Sequence, residues 1–291
     1  MDAERAVARG RALDLLASLF DEGPSRLDHL RAVDALAPFV PAAFDDAAQA
    51  RHHELLRRQV LPYESVFVSR DRTLGGGPTS VIWDGLLAAG FVPDGEPDHL
   101  ATQLRFLAWM CGAEADAWRD DRPDEAARVV KVAADFHARH LGRWLVPFAV
   151  AMGQVDDRLY GAATTLLLEL CMPAQPELLE AEDLVGQKHT GLKAIAEWLA
   201  TPARSGVWLT GAAITRLARS LELPRGFGRR PEQIENLLHT AVRHGALSGL
   251  LVGLDALLSQ QQLRSESLGG EVWAQRIEHT RGQLGVIAAV A

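Results

Sequence analysis

Four residues of this chain stand at metal-ligand spacing. Glu96 and His99 form a Glu-x-x-His pair within EPDHLATQLRFLAWM, and His137 and His140 are three apart in DFHARHLGRWLVPF. Residues three apart share a helix face, and helical di-metal sites use two such Glu-x-x-His pairs with two further glutamates. No other glutamate here has a histidine three residues on. Pro97 also lies inside the pair, where proline suits a first helical turn but not the middle of a ligand-bearing helix. No cysteine or carboxylate trio completes a zinc pattern around His137 and His140, and a histidine beside Leu141 and Trp144 suits a packed core. A second chemistry is open to EPDH. Asp98 or Glu96 at a helix start accepts free backbone N–H groups and meets the positive end of the dipole. Acids left partly exposed there would receive a basic peptide. The two readings are a helical metal-dependent enzyme using Glu96, His99, His137 and His140, and a binding surface.

Other motifs are less committal. LGGGPTS lacks the Gly-Lys-Ser/Thr of a phosphate loop and reads as a flexible connection. RGFGRRPEQ, at Arg225–Gln233, sets three arginines around a Gly-Phe-Gly turn before a helix, which suits either an anion or solvated arginines. No Gly-x-Ser-x-Gly elbow is present. Cys111 and Cys171, the only cysteines, sit in apolar helical contexts and read as buried thiols rather than a disulfide.

The elements that must position these residues are helical. Leu13, Leu16, Leu19 and Phe20 recur at helical period, and Ser25 is placed to cap the next helix. Further helices are expected over Asp45–Val60, from Thr79 or Ser80 to a closing Gly90, over Pro97–Asp116, from the DRPDE loop (Asp121–Glu125) into EAARVVKVAADFHARHLGRWLVPFAVAMG, and over Asp156–Met172. Leu100, Leu104, Leu107 and Cys111 predict one buried stripe. His52 and His53 fall on a charged helix and are expected to be solvated. YESVFVS, Tyr63–Ser69, is the one short strand candidate. Composition shifts after Pro176. Glu177–Lys188 reads as an acidic linker or short helix. Thr210 caps a later helix that Pro224 ends, Pro231 opens another, and Val272–Ala289 makes the last. The fold class is therefore all-α, with a helical-bundle domain over residues 1–175 and a smaller helical region over 176–291.

Of 291 residues, 48% are hydrophobic, enough for a real core, and the formal net charge is −8, from 38 acids against 30 bases. An acidic balance argues against a dedicated nucleic-acid binder and suits solubility or a basic partner. The first residues alternate charge with apolar side chains, unlike a secretory signal, and no run reaches 18 apolar residues. A cytoplasmic protein without stable membrane insertion is expected.

Several segments in order resemble one family. PYESVF (Pro62–Phe67), a glycine-bearing loop, EPDHLATQLRFLAWM and FHARHLGRWLVPFA (Phe136–Ala149) are similar in order and spacing to the TorD/DmsD/NarJ chaperones of molybdoenzyme maturation, over about residues 5–172. His140, Leu141, Trp144 and Phe148 match the second motif as structural positions. The resemblance implies an all-α chaperone with no catalytic turnover and no cofactor of its own. Its partner would be the catalytic-subunit precursor of a molybdopterin-dependent oxidoreductase, bound through its twin-arginine signal peptide or its folded body until the molybdopterin cofactor is inserted. Carried over by position, the peptide-binding residues would be Tyr63, Glu64, Phe67, Glu96, Pro97, Asp98 and His99. Gln103 and Arg105 stand where many relatives carry glutamate, which implies a less acidic groove. The region beyond residue 175 resembles an extension of longer members. A helical scaffold acting through that C-terminal region is a third reading.

Overall fold

The computed structural model describes residues 2–70, 74–171, 191–224 and 226–290. Among them every regular element is a helix, and the one extended pairing is an isolated antiparallel bridge between Tyr63 and His99. The expected element at Glu177–Lys188 and the boundary at residue 175 lie outside the described residues. The chain forms two compact units.

The first unit holds the described residues of Met1–Ser65, Thr73–Leu145 and Asp157–Glu177. Its frame is α1 (Ala3–Glu22) against α6 (Leu100–Arg119), with α7 (Pro123–Arg139) on α6 and α9 (Arg158–Cys171) on α1. Gly10 permits the α1–α6 contact. A Cβ there would sit 3.1 Å from Cys111 Cβ and 3.2 Å from the Ala108 carbonyl oxygen, a tight contact that a side chain would relieve only by moving α6 a few tenths of an ångström. Leu13, Leu16, Leu19 and Phe20 on α1, and Leu100, Leu104, Leu107 and Cys111 on α6, are buried stripes, as their spacing predicts. This unit also holds α2 (Leu27–Arg31), α3 (Asp46–His53) continued by π turns through Gln59, the start of α4 (Glu64–Val68) and α5 (Gly77–Ala88).

Some local expectations change. Ser25 does not cap α2; its hydroxyl donates to Glu22 Oε2. His52 is buried rather than solvated. Its Nδ1 lies 2.6 Å from Tyr160 Oη and its Nε2 3.1 Å from the Asp21 carbonyl oxygen. Helix α7 starts at Pro123, inside the expected loop, and the long helix expected after it breaks at His140 before α8 (Leu141–Met152).

The second unit takes the described residues of Val66–Arg72, Val146–Asp156 and Leu178–Ala291. Its helices are α10 (Leu192–Leu199), α11 (Pro202–Ser205), α12 (Gly211–Ser220), α13 (Arg230–Arg243), α14 (Leu247–Ser267) and α15 (Glu271–Val290). Leu199, Leu209, Ile214, Leu238, Leu250, Leu258 and Ile277 share its apolar core. Thr210 caps α12 by accepting from Ala213 N, and Pro231 sits in the first turn of α13, both as expected. An aromatic cluster joins its three chain segments. Phe67 stacks on Trp208 with centroids 4.9 Å apart and meets Phe148 edge-on at 6.3 Å.

Trp208→Ala is expected to cost about 3–5 kcal/mol, the usual loss for a buried aromatic. Truncation after residue 175 removes Trp208 altogether and uncovers Phe67 and Phe148. That fragment is expected to melt over a broader and lower range than the full chain by circular dichroism; an unchanged, cooperative melt would show that residues 1–175 fold independently.

Candidate functional site

The signature segments meet in the first unit through one buried carboxylate. Asp98 is 1% exposed, and its Oδ2 accepts from both the backbone N–H of Ser65, at 3.3 Å, and the Ser65 hydroxyl. Ser65 Oγ in turn accepts from Gly75 N at 3.1 Å, so the glycine-rich stretch is tied down at that point rather than being a free connection. The backbones pair alongside: Glu64 N donates to the Asp98 carbonyl at 2.9 Å, and Leu100 N to the Pro62 carbonyl at 2.8 Å.

This arrangement corrects two expectations. The strand candidate YESVFVS is helical from Glu64 to Val68. β-branched and aromatic residues favour a strand locally, but a carboxylate from 33 positions away accepts the N–H of Ser65 in its first turn, as an N-cap would. The expected helix from Pro97 starts instead at Leu100, and neither Asp98 nor Glu96 caps it. His99 does, its Nδ1 accepting from Ala101 N at 3.2 Å. That use of Nδ1 requires a neutral ring with the proton on Nε2. Burial is the main cause that lowers the His99 pKa to about 4. The Tyr63 ring packs edge-on against His99 at 4.7 Å, and Arg57 donates to the Tyr63 hydroxyl at 3.2 Å.

A second network links the other motif. Trp144 Nε1–H donates to Gln103 Oε1 at 3.3 Å, and Gln103 Nε2–H donates to Glu64 Oε2 at 2.7 Å. His140 Nδ1 lies 3.5 Å from Glu64 Oε1. Gln103 must donate on one side and accept on the other. An amide does both, whereas an ionised glutamate would set a second carboxylate against buried Glu64. Sequence reasoning passed over Ser65 and treated Gln103 only as a lost acid. Arg105 likewise turns to Asp21 at 2.8 Å and Glu22 at 3.4 Å.

Of the seven residues carried over as peptide-binding, Tyr63, Glu64, Phe67, Pro97, Asp98 and His99 are buried and Glu96 is exposed. Phe67 lies in the core of the second unit, while the other six gather around the Asp98 clasp in the first. Leu141, Trp144 and Phe148 are fully buried, which suits structural positions. Glu96 and Pro97 line a cleft of about 480 Å³ with Thr79, Trp83, Asp84 and Gly95. Trp83 is 39% exposed, and Thr79 Oγ1 is buried with no hydrogen-bond partner among the described residues. An apolar hollow of about 800 Å³ lies elsewhere in the same unit, lined by Leu107, Met110, Cys111, Val130, His137 and Cys171. Both cysteines are free and buried, and burial pushes the Cys171 thiol up to about 12, so it stays protonated. Among the described residues no three His, Cys, Asp or Glu gather as metal ligands, so Glu96, His99, His137 and His140 do not form one centre. No helix among the described residues is long and apolar enough to cross a membrane.

Comparison with known proteins bears on residues 28–150, which match the family described as nitrate reductase delta subunit. The chain is 44% identical over 75 residues, 25% of its length, to a selenate reductase assembly chaperone protein of Thauera selenatis. It is 50% identical over 52 residues, 18% of its length, to a chlorate reductase assembly chaperone protein of Ideonella dechloratans. The matches span only 38% and 26% of those two relatives. No solved structure matches the chain.

Asp98→Ala strands the Ser65 N–H and hydroxyl and is expected to cost about 2–4 kcal/mol in urea unfolding, whereas Glu96→Ala on the surface should stay within about 0.5 kcal/mol. Acid should weaken the fold through histidine. His99 and His137 are both held neutral to about pH 4, chiefly by burial, against an ordinary 6.5. The unfolded chain therefore binds more protons between those values. Stability is full above pH 6.5 and falls as pH drops toward 4, on the order of 3 kcal/mol per histidine. Urea midpoints measured from pH 7 to pH 4.5 should show this fall, reduced by about half in His137→Leu.

Proposed function

We propose that this chain, whose residues 28–150 match the family described as nitrate reductase delta subunit, is a cytoplasmic assembly chaperone. It binds the catalytic-subunit precursor of a molybdopterin-dependent reductase and holds it for cofactor insertion, with no turnover of its own. The names of the two relatives, assembly chaperones of selenate and chlorate reductases, support the coarse form of this reading. The finer form is that recognition runs through a twin-arginine signal peptide, which offers two guanidinium groups and an apolar run.

The observation that carries the finer form is the cleft at Trp83, Asp84, Glu96 and Pro97. Glu96 and Asp84 are exposed carboxylates, able to take a guanidinium by charge-assisted bonds. Trp83 offers an indole face to the same cation. Leu87 on α5 and Val92 after it are exposed, and so is Trp109, whose ring lies 5.8 Å from Phe91. Exposed apolar groups of this size suit the peptide's hydrophobic run. On this reading Asp98, His99, Tyr63, Glu64 and Pro97 act by holding Glu96 and the α5 start in place, and the buried Asp98 is a positioning residue. Residues 1–175 carry the recognition, and residues 176–291 extend the chaperone.

The test is fluorescence anisotropy with a synthetic peptide carrying two adjacent arginines before an apolar run. The double variant Glu96→Gln, Asp84→Asn should bind about tenfold more weakly, a loss of roughly 1.4 kcal/mol, with an unchanged melting temperature. Equal affinity of the variant and the native chain, or equal affinity for a peptide with both arginines replaced by glutamine, would remove the cleft from the reading.

A further inference from the structure

The Arg225–Gln233 stretch holds three arginines, and the structure gives Arg229 and Arg230 different fates. Arg225 lies outside the described residues. Arg229 is exposed and neutralised, its Nε and Nη2 donating to Glu232 Oε1 at 3.1 and 2.9 Å. Arg230, the first residue of α13, is half-buried and pairs with no acid among the described residues. Its guanidinium carbon lies 3.4 Å from the centroid of the Trp208 ring. Burial lowers its pKa to about 9, and no neighbouring carboxylate offsets that effect. Among the described residues its one partner is the indole.

That is an incomplete environment for an arginine. The group has five N–H donors in one plane and a permanent charge. Stacking satisfies the face of the plane but none of the donors along its edge. A desolvated cation without a counter-ion is costly in a folded protein. Arg230 stays partly exposed as a residue, so the edge can be reached from solvent.

The platform beneath it is fixed. Trp208 is 2% exposed and stacks on Phe67 at 4.9 Å. Its backbone N–H donates to Gln261 Oε1 at 3.2 Å, and its carbonyl accepts from Gln261 Nε2 at 3.0 Å and Gln154 Nε2 at 2.7 Å. Gln261 is itself buried. A cation presented on a surface this constrained loses little further freedom when it binds, which favours affinity.

We infer that Arg230 on its Trp208 platform is a binding site for an oxyanion, a phosphate or carboxylate group that takes the guanidinium edge through two parallel N–H···O bonds. The site belongs wholly to the second unit, beyond the region that matches the family. It therefore stands or falls independently of peptide recognition at Glu96.

The full chain labelled with 15N tests this through its arginine Nε–Hε signals. Arg230 is assigned by the signal lost in Arg230→Lys. Sodium phosphate and sodium acetate are titrated separately against sodium chloride of equal ionic strength. The expected result is a saturable shift of the Arg230 signal with one or both anions and not with chloride, with a rise of a few degrees in melting temperature. Arg229→Gln should keep both responses, and a folded Arg230→Gln should lose the melting response. A response to phosphate alone assigns a phosphate-bearing ligand, and a response to acetate alone assigns a carboxylate. An Arg230 signal that moves no further with either anion than with chloride overturns the inference.

Discussion

The Asp98 carboxylate is the constraint on which the first unit's signature region depends. Removing an ionised carboxylate from water is costly unless N–H and O–H groups replace the lost hydration. Ser65 supplies both, from its backbone and its hydroxyl. Once made, that pairing fixes several things together. It starts α4, sets the Tyr63–His99 bridge in register and recruits Gly75 through Ser65 Oγ. It also occupies Asp98, so the acid of EPDH that remains exposed is Glu96.

The Trp144–Gln103–Glu64 chain adds direction to this frame. Each link has a donor on one side and an acceptor on the other, so the order can run only one way. A buried polar network of this kind is sensitive to single changes, because any member left unpaired keeps its full desolvation cost. It explains why a glutamine is suited to a place where an acid was expected. The chemistry of the signature residues is thus largely directed inward, at one another. What they leave outward is a cleft bearing the Asp84 and Glu96 carboxylates and the Trp83 indole.

The second unit rests on a different constraint. Phe67 and Phe148, contributed by chain segments far from the C-terminal helices in sequence, share one aromatic cluster with Trp208. Two glutamines clamp the Trp208 backbone, and Arg230 covers the ring. The segment beyond the family match is therefore part of the structural support of Phe67 and Phe148.

The sequence by itself determined what depends on local periodicity and local capping. The all-α class, the Leu100–Leu104–Leu107–Cys111 stripe, the two buried thiols, the Thr210 cap and the first-turn Pro231 all follow from residues within a turn or two of each other. Tertiary structure decided whatever depends on a partner distant in the chain. Glu64–Val68 is helical with Asp98 accepting from its first turn, His52 is buried against Tyr160 and Asp21, and His99 caps α6 while Asp98 is engaged by Ser65. The same holds for Arg229 and Arg230 of RGFGRRPEQ, adjacent in sequence, of which Trp208 takes Arg230. A helical period is written in neighbouring residues, but the partner of a buried polar group is set by which distant segment the fold brings within hydrogen-bond reach.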